Sequence, residues 1–431
     1  MSVQITNALK ESVIVAFVAA VLLVPIVGFV LDDRSLQYEL ETVAIMVAVV
    51  FFGRFAITLG LQARLGDRLG NQAALSLGRG WEALTTSGQR HILIIAPLFI
   101  AVLVVIPFMP WASNYLIQIM SLTLIYVMLA MGLNIVVGLA GLLDLGYVAF
   151  YAVGAYGYAL LAQYLGLTFW WAIPITAGLA ALAGCVLGFP VLRMHGDYLA
   201  IVTLGFGEII RILLVNMIDI TGGPNGISVP RPSLFGLEFG RSAKQGGVPF
   251  HEYFGVNYDS SYRYIYIYLV ALAFAVIAIL IFKRLREMPI GRAWEALRED
   301  EIACKALGIN HTTTKLSAFT LGASFGGVGG VLYGAMEGFI NPSSFVFLES
   351  AIILSIVVLG GMGSILGVII AAVAITLLPE LFREFQQFRM LFFGMAMVFI
   401  MIWRPGGLLK VRRRTFAEGV PDASQAPAAV D

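Results

Sequence analysis

Residues 265–282 read IYIYLVALAFAVIAILIF, a run with no charge, no amide side chain, no glycine and no proline. At a rise of about 1.5 Å per residue it makes about 27 Å of apolar helix, close to the thickness of a bilayer's hydrocarbon core. In lipid the backbone must satisfy its hydrogen bonds within the segment, so the run reads as a spanning helix. The chain then changes character. Residues 283–315 carry Lys283, Arg284, Arg286, Arg292, Arg298, Lys305 and Lys315. A basic flank beside a span marks the cytoplasmic side. One span and its flank thus indicate both the class of the protein and the direction of its chain.

The composition agrees. Of 431 residues, 59% are hydrophobic and 12% charged, about half the charged share of a soluble domain. The mean hydropathy is +0.90. Further apolar runs lie at 12–31, 42–61, 92–110, 115–137, 147–165, 170–192, 198–217, 316–338, 349–359, 365–381 and 390–403. Several are short or broken by glycine. The expected fold is therefore all-α, a polytopic membrane helix bundle of about 10–12 transmembrane helices. The run at 12–31 follows Lys10 without an A-x-A-like cleavage site, which predicts a retained helix.

With about twelve crossings, the basic segments 62–91, 283–315 and 404–414 fall on one side with both termini, the cytoplasm. The acidic loop around Asp32, Asp33, Glu39 and Glu41 falls outside, as does the Gly- and Pro-rich stretch 218–263. Three parts follow. Residues 1–110 read as an N-terminal accessory unit of helices plus a basic linker. Residues 111–409 read as a denser core, with an external loop 218–263 and a cytoplasmic segment 283–315. Residues 410–431 read as a disordered tail.

Several chemistries lack their residues. A net charge of +1 gives no reason to expect nucleic acid. Cys185 and Cys304 form neither a metal spacing nor a disulfide framework, and His91, His195, His251 and His311 sit near span ends or in loops. No metal site, cofactor or catalytic group is predicted. No G-x-x-x-x-G-K-[ST] occurs, so the chain has no P-loop. The glycines at 326–330 and 360–363 sit in apolar runs, where close helix packing and a membrane-edge turn are the expected uses.

The most informative polar stretch is 288–308, MPIGRAWEALREDEIACKALG. Pro289 and Gly291 predict a turn, Arg292 onward a helix with a break near Asp300, and Gly308 its cap. Trp294, Leu297, Ala303, Ala306 and Leu307 fall at helical spacings on one side, with Glu295, Arg298, Glu299 and Asp300 largely on the other. Such an amphipathic helix lies in the lipid interface, docks in a partner's groove, or is only a solvated connector. Trp294 favours docking, because tryptophan is a common interface anchor.

Ionisable residues inside spans are functional candidates. Glu208 and Arg211 stand at i,i+3, which allows a mutual ion pair or a gate in the pathway. Asp144, in the glycine-interrupted segment 138–146, reads equally as part of a broken element beside the pathway or as a helix N-cap. Arg54 reads as a snorkelling residue.

Beyond these patterns, the chain resembles a known family. The carrying motifs are the 288–308 segment, GLAGLLDLGY at 138–147, GDYLAIVTLGFGE at 196–208, TGGPNGI at 221–227, VLGGMGS at 358–364 and WRPGGLL at 403–409. Together they resemble the permeases of ATP-binding-cassette (ABC) importers, and among these the M-type permease of branched-chain amino-acid importers. The 288–308 segment lacks the Leu-Pro ending and full Glu-Ala-Ala opening of the general importer pattern.

The resemblance implies a non-catalytic subunit forming half of a translocation pathway for leucine, isoleucine and valine in a bacterial inner membrane. It implies a second, different permease, two ATP-binding subunits and a periplasmic amino-acid-binding protein as partners. It assigns ATPase coupling to Arg292, Trp294, Glu295, Leu297, Arg298, Ala303, Ala306 and Gly308. Asp144, Glu208 and Arg211 become candidates for the pathway or its gate. Gly222, Gly223, Pro224, Asn225 and Gly226 become candidates for docking the binding protein.

Two other classes compete. An ion-coupled secondary transporter of a small polar solute needs intramembrane carboxylates and a repeat of broken helices, and here such acids are sparse and no repeat is evident. A scaffold subunit of a membrane enzyme would also accommodate an amphipathic cytoplasmic helix.

Overall fold

The computed structural model describes residues 29–32, 35–38, 100–109, 112–191, 194, 196–234, 236–240, 247–255, 257–381, 394 and 407. The chain divides into two compact units, Met1–Ala101 and Val102–Asp431. The expected spans 42–61 and 390–403, Arg54 and the tail 410–431 lie outside the described residues, apart from residue 394. Residues 12–28 of the expected span 12–31, and 92–99 and 110 of the span 92–110, do too.

In the first unit, β1 (Phe29–Asp32) and β2 (Ser35–Tyr38) pair antiparallel, with Asp32 opposite Ser35. Residues 29–31, expected to end the first helix, are strand instead. The two-residue link between the strands is the length that closes a tight hairpin, and apolarity alone does not register such a turn.

In the second unit, α1 (Asn114–Leu133) continues into a π turn (Asn134–Leu139). Then come α2 (Val148–Leu165), α3 (Phe169–Val191), α4 (Asp197–Asn216) and α5 (Ser261–Glu287). Two surface helices follow, α6 (Pro289–Glu299) and α7 (Glu301–Ala306), and the series closes with α8 (His311–Glu337), α9 (Phe347–Gly360) and α10 (Ile365–Leu381). Among the described residues, seven helical segments are long and apolar enough to cross a membrane.

The bundle is built around α8, which packs on α3, α2 and α1. Its glycines make this possible. A Cβ on Gly154 would lie 2.0 Å from the Gly327 carbonyl oxygen, and one on Gly330 only 2.1 Å from that of Tyr151. Where lipid replaces water, helices associate through close backbone packing of this kind. Asn310 starts α8, its Oδ1 accepting the N–H groups of Thr312 and Thr313.

At one end of the bundle, the stretch expected to be a loop has structure of its own. Ile227–Ser228 pairs antiparallel with Phe339–Ile340, which ties the end of α8 to the segment after α4. Ser233–Leu234, Leu237–Glu238 and Val248–Pro249 form a small sheet. Phe239 stacks on both Phe250 and Tyr266, with centroids 5.1 and 4.5 Å apart.

The other, basic end carries α6 and α7. Pro289 begins α6 and Gly291 lies inside it, so the expected turn at 289–291 sits one residue earlier, at Met288. Proline suits the first helical position because its missing N–H would be unpaired there. A side chain at 291 would strike the end of α5, since a Cβ there would lie 2.2 Å from the Leu285 carbonyl oxygen.

Candidate functional site

The helix pair α6–α7 breaks where a break was expected. Asp300 is extended, and its Oδ1 accepts the N–H groups of Ile302 at 2.8 Å and Ala303 at 3.0 Å, starting a new helix. Gly308 follows α7 with φ +82°, and its N–H donates to the Lys305 carbonyl at 3.1 Å.

The break overturns the single apolar face. Trp294 and Leu297 turn inward, while Ala303, Ala306 and Leu307 turn outward. Trp294 is 0% exposed, and its Nε1–H lies 3.0 Å from both the Thr314 carbonyl and Ser317 Oγ on α8. As an anchor it therefore fastens α6 to the chain's own bundle. Glu301 and Lys315 add a second fastening, with Nζ 2.7 Å from Oε2 and the lysine buried. On the outer side, Arg292 and Glu295 are exposed, and Glu295 meets Arg286 at 3.4 Å. Ile302 and Leu307 stand bare at 80% exposure each.

Arg298 has a different target. Its Nη1 donates to the carbonyl of Gly138 in the π turn, and its stem lies over Gly141. A Cβ on Gly141 would lie 2.6 Å from Arg298 Cγ, and Gly141 has φ +71°. The stretch between π turn and α2 is thus irregular backbone held under the surface helix, a broken element as the 138–146 glycines suggested.

Asp144 is fully buried within it. Its Oδ1 accepts the Gly146 N–H at 2.9 Å, a turn two residues long. It does not cap α2: the N–H of Val148 goes instead to Ser350 Oγ on α9, at 2.8 Å. The Leu145 N–H meets Thr203 Oγ1 on α4 at 3.0 Å. Burial pushes the Asp144 carboxyl up to about 6, against the pull of Gly146 N–H and the Thr203 hydroxyl.

Glu208 and Arg211 pair on α4, with Nε 2.9 and 3.0 Å from the two carboxylate oxygens and Nη2 also on Oε1. The pair is only half-covered, 43% and 32% exposed respectively, on the span with the least burial of the seven. An ion pair facing hydrocarbon is costly, so this face fits a watery path or another protein better than lipid.

Gly222, Gly223 and Gly226 shape the turn after α4, and Thr221 Oγ1 locks it by donating to the Leu214 and Met217 carbonyls at 2.6 and 2.8 Å. Pro224 and Asn225 are the exposed members.

Sequence reasoning missed Asn134, a fully buried amide whose Oδ1 accepts the Gly363 N–H at 2.8 Å. A polar amide inside an apolar run was its signal. It also missed Ser350 and Thr203, which no local pattern marks.

Apolar spanning helices, a broken helix and a surface helix pair bolted beneath it define a multi-pass membrane protein of permease type. The family model described as "Branched-chain amino acid transport system / permease component" matches residues 115–401, and residues 7–105 match a domain of unknown function. The chain is 55% identical over 322 residues to the high-affinity branched-chain amino acid transport system permease protein LivM of Salmonella typhimurium, covering 73% of this chain and 75% of that one. It is 54% identical to LivM of Escherichia coli, with the same coverage. Identity to the permease protein LivH of Escherichia coli is 26% over 297 residues, 66% of this chain and 91% of the relative. No solved structure matches. The chain belongs to the branched-chain amino acid transport system permease family.

Proposed function

We propose that the chain is one of two different permease subunits of an ATP-driven ABC importer for branched-chain amino acids, and forms half of its pathway. Relatives of both M and H type match the same chain, which suits a heterodimer of related permeases. The basic end faces the cytoplasm, with both termini, in a bacterial inner membrane. Residues 1–110 serve as an accessory unit and residues 111–409 as the permease core. Two separate ATP-binding subunits hydrolyse ATP, and this chain is non-catalytic. A periplasmic amino-acid-binding protein docks at the opposite end, where Pro224 and Asn225 are exposed. Glu208, Arg211 and Asp144 lie along or beside the path.

One observation carries the coupling: α7 presents bare Ile302 and Leu307 on a helix pair whose other face is fastened by Trp294. Two exposed apolar side chains on a solvated end suit a groove in a partner. ATPase closure then moves a stiff lever.

The test is uptake of labelled leucine, isoleucine and valine by vesicles holding this chain with the permease, ATPases and binding protein of its neighbouring reading frames. Uptake is expected only with internal ATP and binding protein. Uptake driven by an ion gradient without ATP would overturn the reading.

A further inference from the structure

The π turn leaves one backbone group to account for. In an α-helix the carbonyl of Gly138 accepts the N–H of residue 142, four positions on. Here the Leu142 N–H goes to Val136 at 3.0 Å and the Ala140 N–H to Ile135 at 3.1 Å. The Gly138 carbonyl takes the Arg298 guanidinium instead. A side chain on the surface helix thus replaces a hydrogen bond missing from a membrane helix. Buried carbonyls need such partners.

The surroundings make this contact a junction. One turn back along α6, Trp294 holds the helix to α8. At the start of the π turn, Asn134 holds the turn between α9 and α10 through the Gly363 N–H. Past Gly141 the chain reaches Asp144, whose Oδ2 is buried without a hydrogen-bond partner among the described residues. Asn134 Nδ2 is likewise unpartnered there. π turns recur at functional sites, and unpaired buried groups beside one suit an element with a second arrangement.

We infer that Arg298 is a positioning residue, the pin through which the α6–α7 pair holds the π turn Asn134–Leu139. Withdrawing the pin lets that turn rewind and moves the Asp144 segment against α4. This rests on the proposed importer role for its purpose, though not for its geometry.

Two measurements test it. The first is hydrogen exchange on the full chain in lipid nanodiscs, comparing wild type with Arg298→Gln and with Arg292→Gln, an exposed position on the same helix. A charged hydrogen bond contributes about 1.5–3 kcal/mol, so amides of 134–146 are expected to exchange about tenfold faster or more in Arg298→Gln. Arg292→Gln and the amides of α8 should not change. Unaltered exchange at 134–146, or an equal rise across α8, overturns the pin.

The second is the number of amino acids imported per ATP hydrolysed by the reconstituted importer. That ratio is expected to fall about fivefold or more in Arg298→Gln and to recover in Arg298→Lys, which keeps a charged donor. An unchanged ratio also overturns the pin. If wild type shows no ATP-driven uptake, the importer reading fails, and the exchange experiment still decides on Arg298.

Discussion

The two surface helices α6 and α7 lie end to end, yet they dispose of their apolar side chains in opposite ways. α6 buries Trp294, fastened to α8, and Leu297, while Ile302 on α7 and Leu307 just past its end stand in the open. Only Asp300 separates them, with an extended backbone that rotates one helix's face relative to the other. On a continuous helix, at about 100° per residue, Leu307 would stand about 140° round from Trp294 and about 80° from Leu297. The two halves of this joint differ: α6 holds its apolar side chains inside, while α7, tied to α8 by Glu301 and Lys315, holds Ile302 outside, with Leu307 bare just beyond it.

The largest effect is expected from Trp294→Ala. It removes a fully buried indole and the Nε1–H shared by the Thr314 carbonyl and Ser317 Oγ. A loss of about 3–5 kcal/mol is expected, the range for large aromatic truncations in cores. Thermal unfolding of the purified chain should show a lowered midpoint, with ATP-driven uptake largely gone in the reconstituted importer. An unchanged midpoint would make α6 a loosely held helix and remove the distinction.

That prediction depends on a contact the sequence does not display. The apolar runs at 115–137 and 265–282 announce themselves because length and hydropathy suffice. Asp300 announces the break because an N-cap signal is local. Trp294 announces only that it is an anchor. Which surface it anchors to is decided by where α8 begins, seventeen residues on at His311, and by how α5 folds back. Arg298 is harder still. Its acceptor is a carbonyl 160 residues away, freed by a π turn that no periodicity predicts. Residues 29–31 failed for the converse reason, since a strand at the end of an apolar run looks like helix until its partner strand is seen.

The exposed side is tested by replacing Ile302 and Leu307 together with serine. Both are exposed, so stability should move by less than about 0.5 kcal/mol, as for ordinary surface changes. Uptake should still fall about tenfold, equivalent to about 1.4 kcal/mol of lost docking. Full uptake by the double variant would transfer the docking role elsewhere on the basic end.

The joint itself gives the smallest effect. Asp300 Oδ1 serves two N–H groups of α7, and its loss in Asp300→Ala should cost about 1 kcal/mol, the usual value of an N-cap. Asp300→Asn keeps the cap without the charge. Circular dichroism would not resolve six residues, so the comparison is made by exchange of the Ile302 and Ala303 amides. Alanine should speed both about fivefold, given the cap energy, and asparagine should leave them near wild type. If alanine and asparagine speed exchange equally, the carboxylate's charge and not its hydrogen bonds sets the break. The start of α7 would then be set by the field of Asp300 among Glu299 and Glu301, not by a hydrogen-bonded cap.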